Sequence, residues 1–94
     1  MFGLYFRPKA LEVFKKIDRE TQLKINTALD GFKLGEFRNC NIKKIEGTKF
    51  GYRLRIGRWR VLFALFSKEK KIEIVDIFMK KGKDDYSKRK RVFD

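Results

Sequence analysis

The sequence predicts an α+β domain: an N-terminal strand, a helix hairpin, a three-stranded antiparallel meander and a short C-terminal helix, in the order β-α-α-β-β-β-α. Three observations predict it. Apolar residues alternate with period two at the start of the chain, recur with helical spacing after Pro8, and alternate again from Tyr52 onward. With 94 residues there is room for one domain, covering 1–94, and a single modest core.

Phe2, Leu4 and Phe6 alternate with Gly3, Tyr5 and Arg7, the pattern of a half-buried strand, and Pro8 ends it and opens a helix. Ala10, Val13, Phe14 and Ile17 share one helical face, and after the break at Asp18-Arg19 so do Ile25, Ala28, Leu29 and Phe32. Gly31 and Gly35 mark the end of the second helix. The stretch Glu36 to Gly51 lacks sustained periodicity and reads as a connecting loop holding at most a short irregular strand. Within it, Gly47-Thr48-Lys49-Phe50-Gly51 lacks the glycine followed by Lys and Ser/Thr that a phosphate-binding P-loop needs.

Tyr52, Leu54 and Ile56 then point to one face and Arg53 and Arg55 to the other. A glycine first in the two-residue loop Gly57-Arg58 suits a type II′ turn, which pairs Ile56 with Trp59, Arg55 with Arg60 and Leu54 with Val61. Trp59 alternates with Val61 and Phe63 and is expected in the core. A third strand runs from Lys71 to Lys80, where Glu73 and Asp76 are expected on opposite faces. Gly82 ends the pattern, and Lys83 to Arg91 forms the short helix. The helix hairpin should cover one face of the sheet and leave the other open.

Composition narrows the chemistry. Hydrophobic residues make up 43% of the chain and ten of them are Phe, too much apolar material for a disordered polycation. Against 25 Lys and Arg stand 12 Asp and Glu, a formal charge of +13 that attracts polyanions: RNA, DNA, an anionic membrane or an acidic protein. A lone Cys40 cannot form an internal disulfide, and neither a secretory pattern nor a spanning apolar run is visible, so a cytoplasmic protein is expected, with no membrane partner. The absence of His excludes a Ser-His-Asp triad and a Cys-His pair, and neither a metal nor a small-molecule cofactor is expected.

In the expected register Arg55 and Arg60 oppose each other across two strands, with Arg53 two residues away on the same face. Like charges placed opposite are destabilising, and three guanidinium groups in reach of one another form a forked site for phosphate. The alternative is an ordinary solvated sheet face. Lys80, Lys81 and Tyr86 follow the last strand and can reach the same face: a lysine with neighbouring cations can donate a proton, and a tyrosine ring can stack on a base. Otherwise they are rim residues with apolar stems. Lys88-Arg89-Lys90-Arg91 is either a solvated charge run or an extension of the binding surface. Glu46, Asp84 and Asp85 become candidate bases only if loops bring them near the arginines.

The runs Lys44-Ile45-Glu46-Gly47, Tyr52-Arg53-Leu54-Arg55-Ile56-Gly57-Arg58-Trp59-Arg60-Val61-Leu62-Phe63 and Ile72-Glu73-Ile74-Val75-Asp76-Ile77 resemble the pattern of RelE/ParE-family toxins of toxin–antitoxin pairs, over nearly the whole chain. The resemblance implies a ribosome-dependent endoribonuclease (an mRNA interferase) that cuts messenger RNA by attack of a 2′-hydroxyl on the adjacent phosphate. It also implies silencing by a cognate antitoxin, expected to be acidic and to pack on the open face. Carried over by motif position, the catalytic set is Arg53, Arg55, Arg60, Lys80 and Tyr86, with Lys81, Lys83, Lys88 and Arg89 extending the RNA contact. Two departures matter. Lysine is frequent in the family at the positions of Arg53 and Arg55, and arginine does not deprotonate, which leaves the general base unassigned. Phe78-Met79-Lys80-Lys81 is similar to the HigB-like branch, where Lys81 shares or takes the role of Lys80. Two rivals remain open: a ParE-like inhibitor of DNA gyrase acting by protein contact, and a non-catalytic RNA-binding module.

Overall fold

A computed structural model describes residues 1–37 and 41–80. The expected terminal helix and Cys40 lie outside the described residues. The elements are β1 (Gly3–Phe6), α1 (Pro8–Lys16), α2 (Arg19–Lys33), β2 (Ile42–Lys44), β3 (Gly51–Ile56), β4 (Trp59–Phe66) and β5 (Lys71–Met79). The first strand is one residue shorter at each end than the alternation predicts, because Pro8 begins α1 and Arg7 is its N-cap.

Pro8 takes the first helical position, where its missing N–H is no loss. At the break before α2, the Asp18 carboxylate accepts from the Thr21 backbone N–H at 2.9 Å and from the Thr21 hydroxyl at 2.7 Å. These bonds, the hydroxyl foremost and the backbone N–H next, hold the Asp18 carboxyl below its ordinary value of 3.8. A carboxyl depressed in the folded state stabilises above its unfolded pKa and stops doing so as pH falls through the folded one. Asp18→Ala should therefore lower the melting temperature at neutral pH, and the gap from the parent should close in an acid titration below the ordinary aspartate range.

The far end of α2 closes differently from expectation. Gly31 lies inside the helix, and only Gly35, at φ +80°, terminates it. The Gly35 N–H donates to the Phe32 carbonyl and the Glu36 N–H to the Gly31 carbonyl, both at 2.9 Å, the paired bonds of a Schellman cap.

The meander forms the centre of a larger sheet, with order β1-β5-β4-β3-β2. β3, β4 and β5 pair antiparallel as expected, and the irregular loop contributes β2, which pairs antiparallel with β3 through Ile42–Leu54, Lys43–Arg53 and Lys44–Tyr52. β1 joins at the other edge, parallel to β5, so the sheet is mixed.

Ala10, Ile17, Ile25, Leu29 and Phe32 of the helix hairpin pack with Leu54, Val61, Phe63, Ile72, Ile74 and Ile77 on one face, and Trp59 leans on that core as predicted. The opposite face is less bare than the pattern suggests. Ile45, Leu62, Val75 and Phe78 form a second, smaller buried cluster.

Candidate nucleic-acid interface

Gly57 adopts φ +58°, and Arg58 is not in the left-handed region, the arrangement a type II′ turn requires. That turn sets the hairpin register predicted from it: Ile56 with Trp59, Arg55 with Arg60, Leu54 with Val61. Arg55 and Arg60 thus share the face away from the helices. Arg53 lies on the same face, flanked by Lys43 of β2 and Leu62 of β4. Arg55 is exposed, and Arg53, Arg60 and Lys80 are half-buried.

The two opposed arginines are held by different groups, one by a side-chain amide and the other by backbone carbonyls. Arg55 Nη2 donates to Asn41 Oδ1 at 3.2 Å, while Arg60 Nη1 donates to the carbonyls of Gly57 at 2.8 Å and Trp59 at 2.9 Å. One guanidinium is drawn toward the start of β2 and the other toward the hairpin turn, which eases their repulsion. Neither meets a carboxylate among the described residues: the ion pairs there join Arg7 to Glu73, Lys24 to Glu20 and Lys33 to Asp30.

Lys80 follows β5 directly, and its backbone N–H donates to the Arg58 carbonyl at 2.9 Å, tying the strand end to the hairpin turn. By strand alternation it continues the face of Phe78, which pairs with Arg60. The hairpin and the end of β5 therefore bring Arg53, Arg55, Arg60 and Lys80 to one end of one face. Tyr86, Lys81, Lys83, Lys88 and Arg89 lie outside the described residues, as do Asp84 and Asp85. Lys43 was missed by the sequence, since its place opposite Arg53 depends on a three-residue strand with no periodicity of its own.

One expectation is overturned. Ala64 pairs with Glu73 and Leu62 with Asp76, so these two acids lie on the same face. The reason is a bulge between Leu62 and Phe63, opposite which β5 carries Val75 as an extra residue and the alternation changes phase. Asp76 is 6% exposed, and its Oδ1 accepts from the Ile77 N–H at 2.9 Å beside the bulge. Among the described residues no group of three or more His, Cys, Asp or Glu is placed to hold a metal, and no helix is long and apolar enough to cross a membrane.

No family model matches this sequence, and no curated protein does. Solved structures match well. The isolated E. coli RelE toxin aligns over 94% of this chain and 94% of its own, with a TM-score of 0.75 at 14% identity. A chain of the intact E. coli RelBE toxin–antitoxin complex aligns over 87% of this chain and 100% of its own, with a TM-score of 0.74 at 13% identity. The YoeB dimer from Staphylococcus aureus aligns over 87% of this chain and 98% of its own, with a TM-score of 0.68 at 19% identity. At these identities the similarity is one of backbone architecture, and it extends across the helices, the sheet and the hairpin that carries the arginines: this chain has the RelE-type toxin fold.

Proposed function

We propose that this protein is the toxin of a toxin–antitoxin pair, a ribosome-dependent endoribonuclease that cleaves messenger RNA in the cytoplasm and is silenced by an acidic antitoxin. The observation that carries the proposal is the Arg55–Arg60 pair, opposed across the hairpin with Arg53 on the same face, on the fold shared with RelE. A sheet built for stability alone would set a carboxylate against one of these arginines.

In this mechanism the 2′-hydroxyl oxygen attacks the adjacent phosphorus and the bond from phosphorus to the 5′-oxygen breaks, leaving a 2′,3′-cyclic phosphate and a 5′-hydroxyl. Arg53, Arg55 and Arg60 bind the phosphate and stabilise the charge that develops on it. Lys80 or Lys81 gives a proton to the leaving 5′-oxygen, and Tyr86 stacks on a base. An arginine cannot take the proton from the 2′-hydroxyl, so the base is a group other than these three. The RelBE complex pairs a toxin of this fold with its antitoxin. By charge, an acidic partner suits the basic face of the present chain.

The test is an in vitro translation reaction containing the purified protein, with messenger RNA ends mapped by primer extension. New ends that appear only when ribosomes are present support the proposal. Intact message together with blocked supercoiling in a parallel gyrase assay would replace it with a ParE-like activity, and RNA binding without any cut would leave a binding module.

A further inference from the structure

A cavity of about 340 Å³ opens on the arginine-bearing face, at its other end, between Arg7, Glu73, Ala64, Phe66, Phe50 and the loop around Thr48. Its size falls at the lower end of the range for small-molecule sites, enough for one planar heterocycle. One wall is aromatic: the Phe50 and Phe66 rings pack against each other with centroids 5.0 Å apart at 46°. Phe50 is 48% exposed, an unusual position for a phenylalanine that serves only the core. One wall is charged, with Arg7 Nε donating to Glu73 Oε1 at 2.9 Å. That bond leaves Glu73 Oε2 without a protein partner among the described residues.

We propose that this cavity receives a guanine base of the RNA whose phosphate the arginines hold. This rests on the nuclease proposal for the nature of the polymer, and on the cavity for the base. Stacking on Phe50 or Phe66 would accept any base. The carboxylate selects among them, because guanine alone presents two adjacent donors, N1–H and the N2 amino group, to a pair of carboxylate oxygens. Adenine and cytosine offer one donor group beside a ring acceptor, and uracil offers one N–H between two carbonyls. Each would set a lone pair against Glu73.

The spacing suits a single strand. Gly51, Ala64 and Glu73 lie in one cross-strand row, and Arg53 is two residues along β3 from that row, about 7 Å. Arg60 is four residues along β4 from it, about 14 Å. A short oligonucleotide can reach both ends of the face. A nucleobase is neutral and can donate to the Glu73 carboxylate inside the cavity, whereas a carboxylate side chain placed there would meet Glu73 as a like charge and offer it no donor.

Fluorescence anisotropy with labelled hexaribonucleotides that differ at one position (guanine, inosine or adenine) tests the assignment on the purified chain, independently of cleavage. Guanine should bind about five- to a hundredfold more tightly than adenine, with inosine between them. Glu73→Gln should erase the preference, and Arg60→Ala should weaken all three oligonucleotides while keeping it. Should Glu73→Gln fail to fold, Phe50→Leu at the exposed loop position should weaken binding of all three. Equal affinities in the parent chain, no binding at all, or a guanine preference that survives Glu73→Gln would overturn the proposal. So would pocket variants that alter only capture of an acidic antitoxin peptide. Guanine-selective binding with no cleavage on ribosomes would keep the pocket and reject the nuclease. Cleavage with no base preference would do the reverse.

Discussion

Arg60→Ala should lower the rate of message cleavage about a hundredfold or more without lowering the melting temperature. The two halves of this expectation share one cause. Arg60 faces Arg55 across the hairpin, and its guanidinium reaches only backbone carbonyls of Gly57 and Trp59 among the described residues. Removing it deletes two bonds at a solvent-facing turn and also one half of a like-charge pair, effects of similar size and opposite sign. In the proposed mechanism the transition state loses a phosphate-binding donor, with nothing to replace it. Arg55→Glu sharpens the contrast, because it converts the pair to opposite charges and should stabilise the fold by roughly 0.2–1 kcal/mol while abolishing cleavage. Single-turnover primer extension reads the first quantity and thermal unfolding the second. Variants that lose stability and activity together would show that these arginines hold the hairpin rather than serve a ligand.

How far the fold could be read from the chain depends on whether each signal was local. The hairpin register was legible because Gly57 opens a two-residue loop and one turn type then dictates every pair from Ile56–Trp59 inward. The faces of α1 and α2 were legible from spacing alone, and Ala10, Ile25, Leu29 and Phe32 are all buried. Strand neighbours are not local information. Nothing in Gly3–Phe6 states that it pairs parallel to β5, and nothing in Ile42–Lys44 states that Lys43 lies opposite Arg53. The bulge at Val75 defeated alternation for a related reason: period-two counting assumes an unbroken ladder, and one extra residue moves Asp76 to the face of Glu73. The arginine cluster was therefore visible in the sequence. The cavity beside Glu73 was not, because it needs the Arg7 cap of α1, β4, β5 and the Thr48 loop together.

Phe63→Ala should destabilise the domain by about 3–5 kcal/mol, the upper range for truncation of a buried side chain. Phe63 is fully buried, its ring centroid 4.9 Å from Phe32 of α2 and 5.7 Å from Tyr52 of β3, so it joins the helix layer to the hairpin. A chain of this length has a total stability of about 5–14 kcal/mol, so the loss is a large share of what holds it folded. Urea unfolding measures it. Leu62→Ala, next in sequence but in the smaller cluster on the other face, should cost less, because a cavity among fewer buried neighbours can collapse further. The pair separates folding from chemistry at the arginine face. Phe63 lies on the helix side of β4, so cleavage per folded molecule at low temperature should stay near the parent value in Phe63→Ala. Leu62 lies beside Arg53, so its truncation should reduce cleavage per folded molecule even where the protein remains fully folded. Equal losses of specific activity in both variants would mean that the helix layer, and not only the sheet surface, sets the spacing of Arg53, Arg55 and Arg60.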